Sequence, residues 1–325
     1  MEVHVKRLVA HSRSLTLIAL VGVLAPGMLL QAQGLDLPDR ASVVEQLEKA
    51  STAGDLEAMA EHAETIAVIE LVEYFEASYE LIRIHCKRGD ENAAFEVVQD
   101  MLDAGYWDYR RLLGDEELTL INQTDRLRGM IRAAWAKGYI SMLERDSRDA
   151  MQHPDRIMKA LDIKAGDVVA DIGAGSGYFT VRLAGAVGDQ GRVIATDIRQ
   201  EMLDFIEGRL EQAAISNVEL VKVGPEETGL PTGAVDTVLM VDVMHYIKDR
   251  SAYAAKLRAA LAPGGRVVVI DFRHDSEAKR EFAPKPEDQV PRAVLDKEMA
   301  EAGLRVSEEF DFLPEQYFVV YTPTE

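Results

Sequence analysis

The residues best suited to chemistry stand in the second half of this 325-residue chain, each at the end of an apolar run. Asp171 follows Val168-Val169-Ala170, and Gly173-Ala174-Gly175-Ser176-Gly177-Tyr178 comes just after it. An uninterrupted apolar run fits a parallel strand covered on both faces, and a carboxylate at its carboxyl end lies where open α/β sheets bind ligands. The glycines allow a tight turn and a close approach of main chain to ligand. Their spacing narrows the choice of ligand. A dinucleotide site needs G-x-G-x-x-G, with the pyrophosphate on a helix N-terminus. Here the spacing is G-x-G-x-G, Tyr178 takes the place of the third dinucleotide glycine, and the acid before the turn suits an amino group better than phosphates. Asp197, with Ile198 beside it, closes the run Arg192-Val193-Ile194-Ala195-Thr196. A carboxylate there can accept both hydroxyls of a ribose, or it can cap the following helix. A third run, 235–241, delivers Asp242, Met244, His245 and Tyr246 to the ligand face. His245 is by position the candidate general base, with Asp242 able to orient it or the substrate. The alternative is a packed imidazole that roofs the ligand.

The elements that must hold these groups alternate between strand and helix. After the glycine turn a helix runs through Phe179, Val181 and Leu183, and a second follows Asp197 with Met202, Phe205, Ile206 and Leu210 on one face. A third strand at 218–223 leads into Gly224-Pro225-Glu226-Glu227-Thr228-Gly229-Leu230-Pro231. A helix with Tyr253, Leu257 and Leu261 ends at Pro263-Gly264-Gly265, where a fifth strand starts at Arg266 and runs to Phe272. Beyond a charged, proline-bearing linker at 276–291, a helix ends at Ala302-Gly303, and strands at 304–312 and 316–321 close the chain.

Asp171 followed by G-x-G-x-G resembles motif I of the class I S-adenosylmethionine-dependent methyltransferases. The turn Leu261-x-Pro263-Gly264-Gly265 is similar to that family's L-x-P-G-G, and Asp242 to Tyr246 resembles its motif IV, which lines the space around the transferable methyl. The resemblance covers about 151–322. It implies an α/β fold with a seven-stranded Rossmann-like sheet, mostly parallel and ending in an antiparallel hairpin. It implies S-adenosylmethionine as cofactor, held by Asp171, Gly173, Gly175, Gly177, Tyr178, Asp197, Ile198, Glu226 and Asp242. The Glu226 assignment has two registers. The family commonly has G-D-A-x-x-L-P after the third strand, with the acid on the adenine amino group. Counting back from Leu230-Pro231 gives Glu226, whereas counting from Gly224 gives Pro225. The chain lacks the N/D-P-P-Y/F motif, which disfavours the base- and amide-nitrogen methyltransferases that use it. The resemblance implies a methyl acceptor without naming one, and a small molecule is expected.

The first half is helical in period. Val68, Leu71, Val72, Phe75, Tyr79 and Ile82 form one stripe, Gly89-Asp90 breaks it, and Ala94, Val97, Val98 and Met101 form the next. Residues 79–127 resemble a tetratricopeptide-like hairpin, which implies protein or peptide docking; a helical cap that only completes the fold is the other reading. The aromatic group Tyr106, Trp107 and Tyr109 reads as core. Arg148-Asp149-Ala150-Met151-Gln152-His153-Pro154 is similar to an R-D-x-x-Q-x-P approach found in such methyltransferases, and the helix after it is expected across the cofactor mouth. The domains are thus expected at 40–146 (all-α) and 147–325 (methyltransferase), after a signal or anchor at 1–33.

Lys6, Arg7 and Arg13 precede an apolar run at 15–25, the n- and h-regions of a secretory signal, although Leu30-Gln31-Ala32 is only half a cleavage site. Export, to the periplasm or medium, is the expectation. An uncleaved segment would make this the chain's membrane anchor, and a misplaced start would leave the protein in the cytoplasm. A net charge of −20 argues against nucleic acid as partner. With Cys86 alone there is no internal disulfide, and no Cys/His set suggests a metal. Two other functions fit parts of this pattern. One is an S-adenosylmethionine-binding docking protein with weak or no catalysis, and the other a nicotinamide-dependent oxidoreductase, which the glycine spacing opposes.

Overall fold

A computed structural model describes residues 38–274 and 284–324 of the chain. The expected export segment at 1–33 lies outside the described residues. The chain divides into two compact units, Met1–Gly138 and Tyr139–Glu325. Among the described residues no helix is long and apolar enough to cross a membrane.

The helical unit is built from α1 (Arg40–Ala53), α2 (Leu56–Arg88), α3 (Glu91–Asp103), α4 (Tyr109–Gly114) and the first part of α5 (Asp125–Leu143). Asp39, Asp55, Asp90 and Asp108 each cap a helix by accepting a main-chain N–H three residues on. Gly89, left-handed at φ 73°, ends α2 and lets α3 fold back on it. The two apolar stripes meet there. Leu71, Phe75, Tyr79 and Ile82 of α2 pack with Ala94, Phe95, Val98 and Met101 of α3 in one core, to which Tyr106 also belongs. The Tyr106 and Trp107 rings meet Phe75 edge-on at 5.2 and 5.6 Å, so this aromatic group is core.

In the second unit, α6 (Ser147–Gln152) and α7 (Pro154–Leu161) lead into β1 (Val168–Ile172). There follow α8 (Tyr178–Val187), β2 (Arg192–Asp197), α9 (Gln200–Gln212), β3 (Val218–Lys222), β4 (Val235–Val241), α10 (Arg250–Ala260), β5 (Leu261–Phe272), α11 (Arg292–Glu301), β6 (Leu304–Phe310) and β7 (Gln316–Pro323). The seven strands form one sheet in the order β3-β2-β1-β4-β5-β7-β6. The first five are parallel, and β7 runs antiparallel to both of its neighbours. The apolar runs are continuous because both faces are covered. Val267 and Val269 face the cluster with Tyr253 and Leu257 of α10, whereas Val268 and Ile270 face the one with Phe179 and Leu183 of α8.

One feature differs from expectation. The fifth strand begins at Leu261, five residues before Arg266, because the sheet takes up Pro263-Gly264-Gly265 as an irregularity. Val235 pairs with Leu261 and Thr237 already with Arg266. Gly265 is required there, since a Cβ would lie 2.7 Å from the Val235 carbonyl oxygen and 2.9 Å from that of Ala262. The terminal antiparallel hairpin is present as expected, at the edge of the parallel strands. Strand β7 is inserted between β5 and β6, and β6 is left at the edge with Arg305, Glu308 and Glu309 exposed.

Candidate active site

Strand β1 runs into a turn in which Gly173, Gly175 and Gly177 are all left-handed, at φ 68°, 56° and 76°. Side chains other than Gly rarely hold that conformation. The N–H groups of Gly173 and Ala174 donate to the Thr196 carbonyl at 2.8 and 3.0 Å, which ties the turn to β2. Asp197, at the end of β2, accepts from the Gly175 N–H at 3.0 Å through one oxygen and from the Arg199 N–H at 2.9 Å through the other. Asp171 accepts from the Thr180 hydroxyl at 2.6 Å.

Both carboxylates are almost fully buried, at 4% and 7% exposure. Among the described residues no cation lies within ion-pair distance of either. Burial pushes the Asp171 carboxyl up to about 6, opposed by the Thr180 hydrogen bond, and raises that of Asp197 as well. Two buried acids, held by neutral donors alone and each with lone pairs to spare, complement a ligand that brings an ammonium group and a ribose diol. S-adenosylmethionine carries both.

The end of β4 is strained. Asp242 is left-handed at φ 58°, a conformation uncommon for residues other than glycine. Its main-chain N–H donates to the Ile270 carbonyl at 2.8 Å, and its carboxylate accepts from the Gln152 amide at 3.0 Å and the Gln316 amide at 2.5 Å. His245 is not its partner. The imidazole Nδ1 lies 2.8 Å from Asp271 Oδ1, and the His245 main-chain N–H donates to the other Asp271 oxygen at 3.2 Å. Both side chains are buried, at 3% and 2% exposure. Burial alone would lower the His245 pKa, but the hydrogen bond and charge of Asp271 outweigh it and the imidazole is held above its ordinary value. Of the two roles expected of Asp242, orienting His245 or orienting the substrate, the first falls instead to Asp271, near the end of β5. A carboxylate on Nδ1 fixes the tautomer that leaves Nε2 with the lone pair. Among the described residues no three His, Cys, Asp or Glu side chains converge as metal ligands do.

The polypeptide before β1 is stitched to the glycine turn. Ser176 donates to Glu144 at 2.5 Å, Arg209 joins Glu144 at 2.8 Å to the Ser176 carbonyl at 2.9 Å, and the Tyr178 hydroxyl donates to Asp149. Leu143 sits where a Cβ on Gly175 would come within 3.0 Å of it. Tyr139 is buried in the field of Tyr246, Asp197 and Asp242. Among the expected cofactor residues, Ile198 is half exposed and Glu226 is exposed, with its carbonyl bound by Lys256 at 2.5 Å. Asp271, Arg148, Gln152 and Tyr139 were not marked as site residues by the sequence. Asp271 carries the same signal as the other three acids, a carboxylate closing an apolar strand.

A family profile described as a methyltransferase domain matches residues 169–265. A solved S-adenosylmethionine-dependent methyltransferase from Aquifex aeolicus shares the fold, with TM-score 0.52 and 25% identity over 56% of this chain and 95% of that one. Sheet order, glycine turn and match together make this unit a class I, S-adenosylmethionine-dependent methyltransferase domain. Among curated relatives, a ubiquinone/menaquinone biosynthesis C-methyltransferase, UbiE, of Marinomonas sp. (strain MWYL1) is 30% identical over 41% of this chain and 49% of its own length. An uncharacterized 37.1 kDa protein in transposon TN4556 of Streptomyces fradiae is 30% identical over 48% of this chain and 47% of its own. The chain thus spans about half the length of each of these two relatives.

Proposed function

We propose that this protein transfers the methyl group of S-adenosylmethionine to a carbon atom of a small, electron-rich ring acceptor, with His245 as general base. The observation that carries the reading is the buried His245–Asp271 pair at the strand ends beside Asp242. When bound, the cofactor supplies a methyl group made electrophilic by its sulfonium. Displacement at such a carbon needs alignment more than covalent help. A ring carbon that gains a methyl must also lose its proton, and that loss calls for a base. His245 Nε2 would take that proton and Asp271 would stabilise the imidazolium through Nδ1–H, the electron pair of the broken C–S bond staying on sulfur. Gln152 and Gln316 hold Asp242 at the edge of this space. The relatedness to a C-methyltransferase supports carbon as the acceptor atom, and phenols and quinols are the acceptor class to try.

The test uses purified protein, S-adenosylmethionine labelled at the methyl, and a panel of phenolic and quinol acceptors. Label on a ring carbon is expected, and label only on oxygen or nitrogen would refute the carbon assignment. His245→Asn should bind cofactor nearly normally while the rate falls roughly 10²–10⁴-fold. If cofactor affinity falls instead and turnover follows it, His245 is a roof over the cofactor and not a base.

A further inference from the structure

The structure assigns to Arg148 the role of receptor for the carboxylate at the amino-acid end of the cofactor, an inference that rests on the S-adenosylmethionine reading above. Arg148 is built into place. Its Nε donates to Gln152 Oε1 at 2.8 Å and its Nη1 to the Leu143 carbonyl at 2.8 Å, while its guanidinium lies 3.9 Å over the Tyr178 ring. A guanidinium clamped along one edge and stacked on one face still presents the rest of its planar fork. Among the described residues, no protein group accepts from Nη2, and no carboxylate lies within 4 Å of this arginine. Its neighbours differ. Arg209 pairs with Glu144 at 2.8 Å and Arg182 reaches Asp149 at 3.8 Å.

Position selects the anion. Tyr178 is the first residue of α8, straight after the glycine turn that begins at the end of β1. Arg148 is close enough for its charge to act on Asp171, and Gln152, which it holds, reaches Asp242. The site therefore offers a buried carboxylate without a cation, Asp171, and a fixed cation without an anion, Arg148, on two sides of one turn. An α-amino acid carries an ammonium and a carboxylate on one carbon and satisfies both together. With the ribose held at Asp197 on β2, the amino-acid end would be left for the groups at the ends of β1 and β4. Burial lowers the Arg148 pKa, opposed by Asp242, Tyr178 and Glu144, yet a guanidinium stays charged at neutral pH.

Calorimetry on the full chain tests this, with acceptor kinetics as one control. Three probes are compared: S-adenosylhomocysteine, its decarboxylated analogue, and 5′-methylthioadenosine, which lacks the amino-acid end. The unaltered protein should bind S-adenosylhomocysteine roughly 10- to 100-fold more tightly than the decarboxylated form. Equal affinity for those two would overturn the assignment before any variant is made. Arg148→Met keeps the stem over Tyr178 and should lose that same factor for S-adenosylhomocysteine alone. Equal loss for all three probes would show that Arg148 only braces the turn. If the variant binds all three normally but raises KM for an anionic acceptor, the carboxylate belongs to the acceptor and the assignment falls. Should the unaltered protein bind none of the probes, the cofactor reading itself fails and takes this inference with it.

Discussion

At the scale of single residues, the Asp171 carboxyl sets a conflict between stability and binding. Raised from 3.8 to about 6, it must be ionised to receive an ammonium, and burial penalises that form. The folded state holds the proton more tightly than the unfolded chain, so the unliganded protein gains stability as pH falls from 7 towards 4, by about 3 kcal/mol from this group. Asp171→Asn should remove that dependence and make the unliganded protein more stable at pH 7, while cofactor binding is lost. Urea melts of both proteins at pH 5 and 7 give the comparison. His245 acts on stability with the same sign. Its raised pKa contributes stability that is fully present below 6.5 and is lost as pH rises through the folded value. As a base it works only when neutral, so methyl transfer should rise through an apparent pKa above 6.5. Asp271→Asn should move that limb to lower pH and reduce the plateau rate, and a profile that is flat from pH 5.5 to 8.5 with chemistry limiting would defeat the base assignment. Asp197→Ala should weaken binding by roughly 1.5–3 kcal/mol for each of one or two charge-assisted hydrogen bonds. Because Asp197 also receives the Gly175 and Arg199 N–H groups, Asp197→Asn is the control for a loosened turn. Asp171 and Asp197 were legible because each closes an apolar strand beside a recognisable turn. The tie between His245 and Asp271 was not, since it joins the turn after β4 to β5 across 26 positions of chain.

At the scale of elements, the sheet was readable because a strand buried on both faces leaves an unbroken apolar run. Its irregular part was not. Pro263-Gly264-Gly265 reads as a turn, and only the neighbouring strand shows why β5 absorbs it. Gly265→Ala should therefore cost roughly 1–3 kcal/mol, since the added Cβ meets main-chain oxygens that cannot move aside. Thermal unfolding would register this even if cofactor binding survives. Gly175→Val should act on the site instead. It forces a β-branched residue to φ 56° and pushes against Leu143, so cofactor affinity should vanish in a protein that still folds. Normal binding by that variant would reduce the glycine to a loop residue.

At the scale of the whole molecule, the sequence showed a helical half followed by an α/β half, and the stripes on α2 and α3 were plain from their spacing. The path from α5 to β1 was legible only as a string of residue types, because the roles of Leu143, Arg148 and Gln152 depend on where that path docks. A protein starting near Asp146 would lack Tyr139, Leu143 and Glu144. It should bind S-adenosylhomocysteine at least tenfold more weakly than one starting at Asp125. Equal affinity would show that the glycine turn holds its shape without them.

The insertion of β7 between β5 and β6 has a consequence for how the protein matures. Gln316, the first residue of β7, supplies one of the two amides that hold the strained Asp242, and its neighbour Tyr317 pairs with Asp271. During synthesis, β1 to β5 are made before residue 316. Until β7 slides into its slot, β5 is a bare edge and the ends of β4 and β5 lack their last supports. A nascent chain could thus present the glycine turn before it can present a finished methyl-facing site. The pocket of carboxylates is finished from the far end of the chain, by the strand that is made after the five it completes.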